Sequence, residues 1–301
     1  MLKQVTLLSL SLLSCNLLAA EGGYSNYIPG TYGDFAAAMA PTTPFTVRND
    51  TYFYEAKIDE TVRGGKVELD SELSMLINLT TLIYKPEFEV LGATYGMGMV
   101  VPVLTTSLDT YINDFYVKSD TSGLGDLTLV PAALFWNVDN FHFSLAEYIV
   151  TPSASYNVND SLNPSLNYWT FDTNFAATYL NLSTGQDYSI NVGYTVNTEN
   201  AATDYKTGNE LHIDYMFNQF LSDTWAIGIQ GFYLKQMSAD SGKGALLGGI
   251  KGRAAGIGPA VMWSTTVGKQ PVSFIAKWLH EYKAENRIEG DQIYLSFALG
   301  F

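Results

Sequence analysis

The 301-residue chain has one cysteine, three histidines and 16 basic residues against 30 acidic ones, a formal net charge of −14. A single cysteine leaves no intramolecular disulfide, and three scattered histidines offer too few ligands for a structural metal site, so neither a metal nor another cofactor is expected. So acidic a chain presents no basic face to a phosphate backbone, which excludes nucleic acid as a partner. Beyond the first twenty residues no apolar run is long enough to cross a bilayer as a helix, and no 3.6-residue apolar stripe appears. No ATP-binding loop is visible either. Yet 47% of the residues are apolar, with 20 Tyr, 16 Phe and 5 Trp, and that hydrophobicity needs a destination.

The chain opens with a basic start at Lys3, a Leu/Ser-rich stretch from Val5 to Leu18, and small residues at Ala19-Ala20. This is the pattern of a secretory leader over residues 1–20, cut after Ala20. Cys15, behind Leu12-Leu13-Ser14, gives a fainter lipoprotein-like alternative whose apolar core is short. Either way the mature chain is expected outside the cytoplasm.

The mature sequence alternates. Tyr188, Ile190, Val192, Tyr194 and Val196 interleave with small or polar residues, as do Trp169, Phe171, Phe175 and Tyr179, and as do Leu73, Met75, Ile77 and Leu79 against Glu72, Ser74, Asn78 and Thr80. A period of two marks strands with two unlike faces. Twelve strands are predicted at 45–58, 70–83, 88–104, 124–137, 140–152, 168–182, 187–198, 207–219, 224–237, 252–266, 272–284 and 289–301. Short turns alternate with longer polar connections near 59–69, 105–123, 153–167, 199–206 and 238–251. That rhythm predicts an all-β, antiparallel up-and-down transmembrane barrel of twelve strands, with tight turns at the periplasmic end and loops outside. Leu108 to Val117 could form a further strand, but thirteen would break the even count, so it is expected in a loop. Residues 21–44, rich in Gly, Ala, Pro and Thr, precede the barrel and either plug its lumen or hang in the periplasm.

A soluble β-sandwich also alternates. Strands of 12–15 residues, a second face of Asp, Asn, His, Ser, Gly and Ala, and aromatics near strand ends (Tyr84, Tyr168-Trp169, Trp225, Tyr233, Trp263, Trp278) favour the bacterial outer membrane, where the outward face meets lipids and lipopolysaccharide. The end of the chain adds Ile293, Leu295, Phe297, Leu299 and Phe301 at alternate positions. A last strand of this form, ending on Phe301, resembles the signal read by the barrel assembly machinery.

With these residues placed, the chain resembles a family of outer-membrane barrels named for the meta-pathway of phenol degradation and described as transporters. The matching stretches are Gly22-Gly23-Tyr24 through Tyr27-Ile28-Pro29-Gly30-Thr31-Tyr32-Gly33-Asp34-Phe35, Tyr52-Phe53-Tyr54, Leu91 to Met97, Gly123-Leu124-Gly125-Asp126-Leu127 and Gly256-Ile257-Gly258-Pro259. One departure is Ser153-Ala154, where a small turn glycine usually follows Val150-Thr151-Pro152. The resemblance implies uptake of small, hydrophobic or aromatic organic compounds. Gly123 to Asp126 reads as a turn in which Asp126 accepts from a nearby backbone N–H.

If the alternation holds, Asp172, Asn174, Asn191, Asn197, His212, Asp214, Asn218, Gln230 and Lys277 point into the barrel and line the pore. Gly92, Gly96, Gly98, Gly256 and Gly258 would join them, either leaving room or letting strands bend. The polar set could be a self-satisfied network or a recognition surface. An enzyme is the rival class, because Phe141-His142-Phe143-Ser144 superficially matches the His-x-Ser pair of outer-membrane phospholipases. The Asn-Gly that should follow the serine is replaced by Leu145-Ala146, however, and the pair would face the lumen, away from lipid esters. No enzymatic activity is therefore expected. A structural or adhesive barrel is the third class.

Overall fold

The computed structural model of the chain describes residues 19–63, 66–112, 115–246 and 248–301. Apart from Ala19 and Ala20, the expected leader and Cys15 lie outside the described residues. Among the described residues fourteen strands carry the fold: β1 (Phe45–Arg63), β2 (Lys66–Tyr84), β3 (Glu89–Val90), β4 (Ala93–Ile112), β5 (Phe115–Leu124), β6 (Thr128–Val138), β7 (Phe141–Val150), β8 (Thr170–Asn181), β9 (Gln186–Asn197), β10 (Glu210–Phe220), β11 (Trp225–Gln236), β12 (Arg253–Val267), β13 (Gln270–Glu285) and β14 (Glu289–Gly300).

All strands but β3 and β5 form one antiparallel ring in the order β2-β1-β14-β13-β12-β11-β10-β9-β8-β7-β6-β4, which β4 closes by pairing back to β2. The ring therefore has the expected twelve strands. Closure gives every wall strand a neighbour on both sides, so no long sheet edge meets the bilayer core. Phe45 and Phe301 exchange backbone hydrogen bonds of 2.9 and 3.0 Å at the turn end. At the opposite end sit the connections 151–169, 198–209 and 237–252, the side that faces outward in barrels of this kind.

Alternation explains most of the wall. Phe171, Phe175, Tyr188, Ile190, Tyr194, Ile227, Ile293 and Leu295 are all exposed on its outer surface, while Asp172, Asn174, Asn191 and Tyr294 are buried inside. Turned inside out relative to a soluble protein, this pattern sends apolar side chains to lipid.

The structure corrects the sequence expectations in five places. The connection 105–123 is not a loop: the outer half of β4 pairs with β5 from Val103↔Leu124 to Ile112↔Phe115, so Leu108 to Val117 falls largely in strands. The even count survives because β5 and β6 lie end to end along the same side of β4, and the extra strand extends the wall without crossing again. Likewise the hairpin β1–β2 runs through most of the expected connection 59–69. On β2, Leu73, Ile77 and Leu79 are buried inside, whereas Leu76 and Leu82 face outward; both rows of this strand are apolar, and alternation alone cannot orient it. Finally, Gly92 is an exposed turn residue with φ +71° rather than a lumen residue, and Tyr168 is buried rather than part of an outer girdle. Register shifts at Gly96/Gly98 and at Ala255/Gly256 support the strand-bending role of the glycine rows.

Candidate lumenal site

The segment ahead of β1 runs inside the ring. Near the outer mouth, Ala20 N donates to Asp240 Oδ2 at 2.7 Å and Ala19 N to the Asn286 carbonyl at 2.6 Å. Deeper in, Tyr27 Oη donates to Asp214 (2.9 Å) and Tyr32 Oη to Asp172 (2.7 Å). Further on, Ala36 N reaches Asp187 (2.6 Å) and Ala38 N reaches Thr178 (3.0 Å).

The chain bends where its residues dictate. Pro29-Gly30 sits in a turn closed by Thr31 N to the Ile28 carbonyl (3.1 Å), and Gly30 has φ +81°, the combination a type II turn requires. A Cβ at Gly30 would meet Leu279 Cδ1 at 2.4 Å. Lys277, on β13, donates from Nζ to both the Gly30 and Gly33 carbonyls at 2.6 Å. A buried ammonium is thereby matched to two carbonyl dipoles.

The sequence-selected residues gather around the same segment. His212 (β10) presents Nε2 to Asp172 Oδ1 at 2.9 Å and Nδ1 towards Asp214 at 3.7 Å, and its ring stacks on Tyr27 with centroids 3.9 Å apart. Gly193 separates Asn174 from His212 in the register of β8, β9 and β10. A Cβ there would lie 2.0 Å from His212 Cε1, so glycine is what lets the imidazole lie against the wall. Asn218 donates to the Asp34 carbonyl (3.2 Å) and to Asp187 (2.8 Å), and Gln230 donates to Asn218 (3.2 Å). Asn197 accepts from Thr170 (2.7 Å) and donates to the Gly208 carbonyl (3.2 Å). Asn174, whose Nδ2 donates to the Asp172 carbonyl (3.3 Å), and Asn191 are also buried and border the cavity.

Sequence reasoning missed the partners of this network. Arg48 on β1 pairs with Asp34 of the N-terminal segment and, at 2.9 Å, with Asp50. A lone basic residue at an inward position was the available signal. It missed too that one wall is greasy. Beside the segment lies a cavity of about 460 Å³ bounded on one side by Ile77, Leu79, Ile83, Val100, Leu104 and Phe135, and on the other by Asp172, Asn174, Asn191 and Thr195. Its size suits one small organic molecule. Ser144 lines this cavity, while His142 Nδ1 pairs with Asn137 Oδ1 at 2.6 Å; among the described residues no hydrogen bond joins His142 to Ser144.

A sequence model of the family described as "Putative MetA-pathway of phenol degradation" matches residues 33–297. Among solved structures, the COG4313 outer membrane channel from Pseudomonas putida F1 is similar to this chain with a TM-score of 0.67 at 16% identity, covering 90% of this chain and 98% of that one. The transport unit of the autotransporter AIDA-I from Escherichia coli gives a TM-score of 0.50 at 7% identity, covering 91% and 94%. At these identities the likeness concerns the fold. No curated protein matches the chain in sequence.

Proposed function

The chain belongs to this phenol-degradation family of bacterial outer-membrane barrels, and from that premise we propose that it is a channel for passive uptake of small hydrophobic or aromatic organic compounds. One observation carries the reading: the inward apolar row of β2, continued by Val100 and Leu104 of β4 and Phe135 of β6, walls the cavity of about 460 Å³. Against such a wall an apolar solute gains about 25 cal/mol per Å² of surface it removes from water.

In this reading the pore-lining set Asp172, Asn174, Asn191, Asn197, His212, Asp214, Asn218, Gln230 and Lys277 has three tasks. Asp172, His212, Asp214, Asn218 and Lys277 seat residues 21–44 as a plug, Asn197 and Gln230 brace the wall around them, and Asn174 and Asn191 border the cavity. The outer surface contacts membrane lipids and lipopolysaccharide, and the strand ending at Phe301 serves as the assembly signal. The protein is not an enzyme in this proposal, since a serine without a bonded base has no activated nucleophile.

Uptake of labelled aromatics and alkanes by a deletion strain, with and without the restored gene, tests the function. Uptake that depends on the gene is the expected outcome, and a panel in which no compound responds ends the channel reading. Lipid hydrolysis by the purified barrel that is lost in His142→Ala or Ser144→Ala would establish the phospholipase alternative instead.

A further inference from the structure

The outer rim of β11, β12 and β13 carries a concentration of positive charge that the lumen and its plug do not use. Residues directly opposite one another in an antiparallel pair share a face, so the register Lys235↔Arg253↔Glu285 sets these three side by side. They point outward, because their neighbours Leu234, Gln236 and Ala254 are buried inside. Lys251, in the connection leading to β12, is exposed as well. Lys283 joins them through the bulge. Alternation from the buried Glu281 would turn it into the lumen. The register shift instead pairs Gly256 with Glu281 and Ala255 with Lys283, so Tyr282 is the extra residue and Lys283 is exposed on the outer face.

Four bases therefore share one sector of a chain whose net charge is −14, and one acid, Glu285, stands in their rows. Arg253 donates to it from Nε and Nη2, and Lys283 Nζ lies 3.3 Å from it. Lys251 Nζ donates to the Met237 carbonyl at 2.7 Å, a bond that leaves its charge uncompensated. Lys235 has no acceptor among the described residues and stands directly opposite another cation, an arrangement that destabilises a sheet unless an anion shares it. On β14 and β1 the outer face turns acidic, with Glu55, Glu289 and Asp291 exposed, so the positive field is confined to this sector. Towards the turn end the same face becomes aromatic and then apolar. Tyr233 shares the row of Lys283, and Tyr215 of β10 reaches across Gly231 to the Gly256 carbonyl at 3.3 Å. A Cβ at Gly231 would lie 2.5 Å from that ring, so glycine lets it lie flat on the wall. Below them Ile229, Ile257 and Trp278 are exposed. Cations above tyrosines above an apolar face is the order in which a membrane surface presents phosphates, polar groups and acyl chains.

We propose that Lys235, Lys251, Arg253 and Lys283 form a binding site for the phosphate groups of lipid A, the membrane anchor of lipopolysaccharide, with its acyl chains lying on the apolar rows beneath. Lipid A carries its phosphates on sugars directly above the acyl chains, at the level of this rim, and a guanidinium with a ring of ammonium groups is the donor set a phosphate takes. The site is on the outer wall and does not depend on what the lumen conducts.

Native mass spectrometry of the full barrel, released from detergent, counts bound lipid and reads its affinity. The titrants are lipid A with both phosphates, the same lipid A with both removed, and phosphatidylglycerol. The wild type is expected to bind phosphorylated lipid A about tenfold more tightly than either of the others. The triple variant K235Q/R253Q/K283Q should bring the three lipids level. The variant K57Q/K118Q, which removes exposed bases from other sectors of the rim, should keep the preference. All these side chains are exposed, and heat-modifiable migration reports that each variant still folds. Equal binding of the two lipid A forms by the wild type overturns the site, as does phosphatidylglycerol bound as tightly as phosphorylated lipid A. A preference that survives the triple variant, or that K57Q/K118Q abolishes to the same degree, overturns it too.

Discussion

Lys277 shows how a single side chain can decide whether the lumen is filled. Its ammonium is buried in the barrel, donates to two carbonyls of the N-terminal segment and lies 4.5 Å from the centre of the Tyr294 ring. Lys277→Met keeps the stem but leaves both carbonyls without a donor, at about 1–3 kcal/mol each. The expected outcome is a barrel that still assembles but admits ions more readily, seen as raised single-channel conductance in planar bilayers; unchanged conductance would mean that the segment is held by its other bonds alone. Lys277 was legible as an inward residue from the alternation of β13, but its partners were not, because a residue's face says nothing about a chain segment that reaches it from more than two hundred positions away. The reverse holds for Asn49 and Asn78. Their amides bond one another on the outer face at 2.8 and 2.9 Å, with Thr51 and Thr80 joining in, so polar residues facing lipid satisfy themselves.

Among the elements, β4 and β5 mark where sequence patterning stops being informative. In β8 and β9 the contrast between lipid and lumen writes a clean period of two. Along the outer reach of β4, Thr105, Ser107 and Asp109 face away from the barrel while Leu104 and Leu108 turn in. That polarity is the opposite of the rest of the wall, as expected where strands rise above the bilayer into water. The break between β5 and β6 is held by Asp126, which accepts from Ala154 N (2.9 Å), Ser165 Oγ (2.8 Å) and Leu166 N (3.1 Å). Its partners lie across the 151–169 connection rather than next to it in sequence, so this acid ties down a loop where a local turn was expected. Asp126→Ala should accelerate amide hydrogen exchange across 153–166 by about tenfold or more while exchange in β8 and β9 stays unchanged. Exchange that accelerates equally everywhere would instead mark Asp126 as a support of the whole barrel.

For the whole molecule, the strand count, closure and membrane face were readable because each strand has to satisfy two solvents at once, lipid outside and a polar or ligand-bearing interior within. The filling of that interior was not readable. Residues 21–44 have little strand period, and it is their bonds to the wall, those to Asp172, Asp187, Asp214 and Lys277 among them, that show where they run. Their path makes a topological prediction: although β1 begins at the turn end beside Phe301, Ala20 lies near Asp240 at the other end. A short epitope inserted after Glu21 should be detected by antibody on intact cells. The same epitope in the turn at Gly268-Lys269 should stay hidden until the outer membrane is opened. Labelling of both sites, or of neither, in intact cells would contradict this path.

The threading of that segment also limits how the lumen can be emptied. It is covalently continuous with β1 at one rim and reaches the opposite rim through a closed ring of strands, so no sideways exit is open to it without breaking the wall. Being tethered below, it can withdraw only downward, its N-terminal end following last, like a rope drawn back through an eyelet by its fixed end. Clearing the lumen by moving this segment would therefore take a retraction towards the periplasm, the direction in which a solute taken up by the proposed channel would travel.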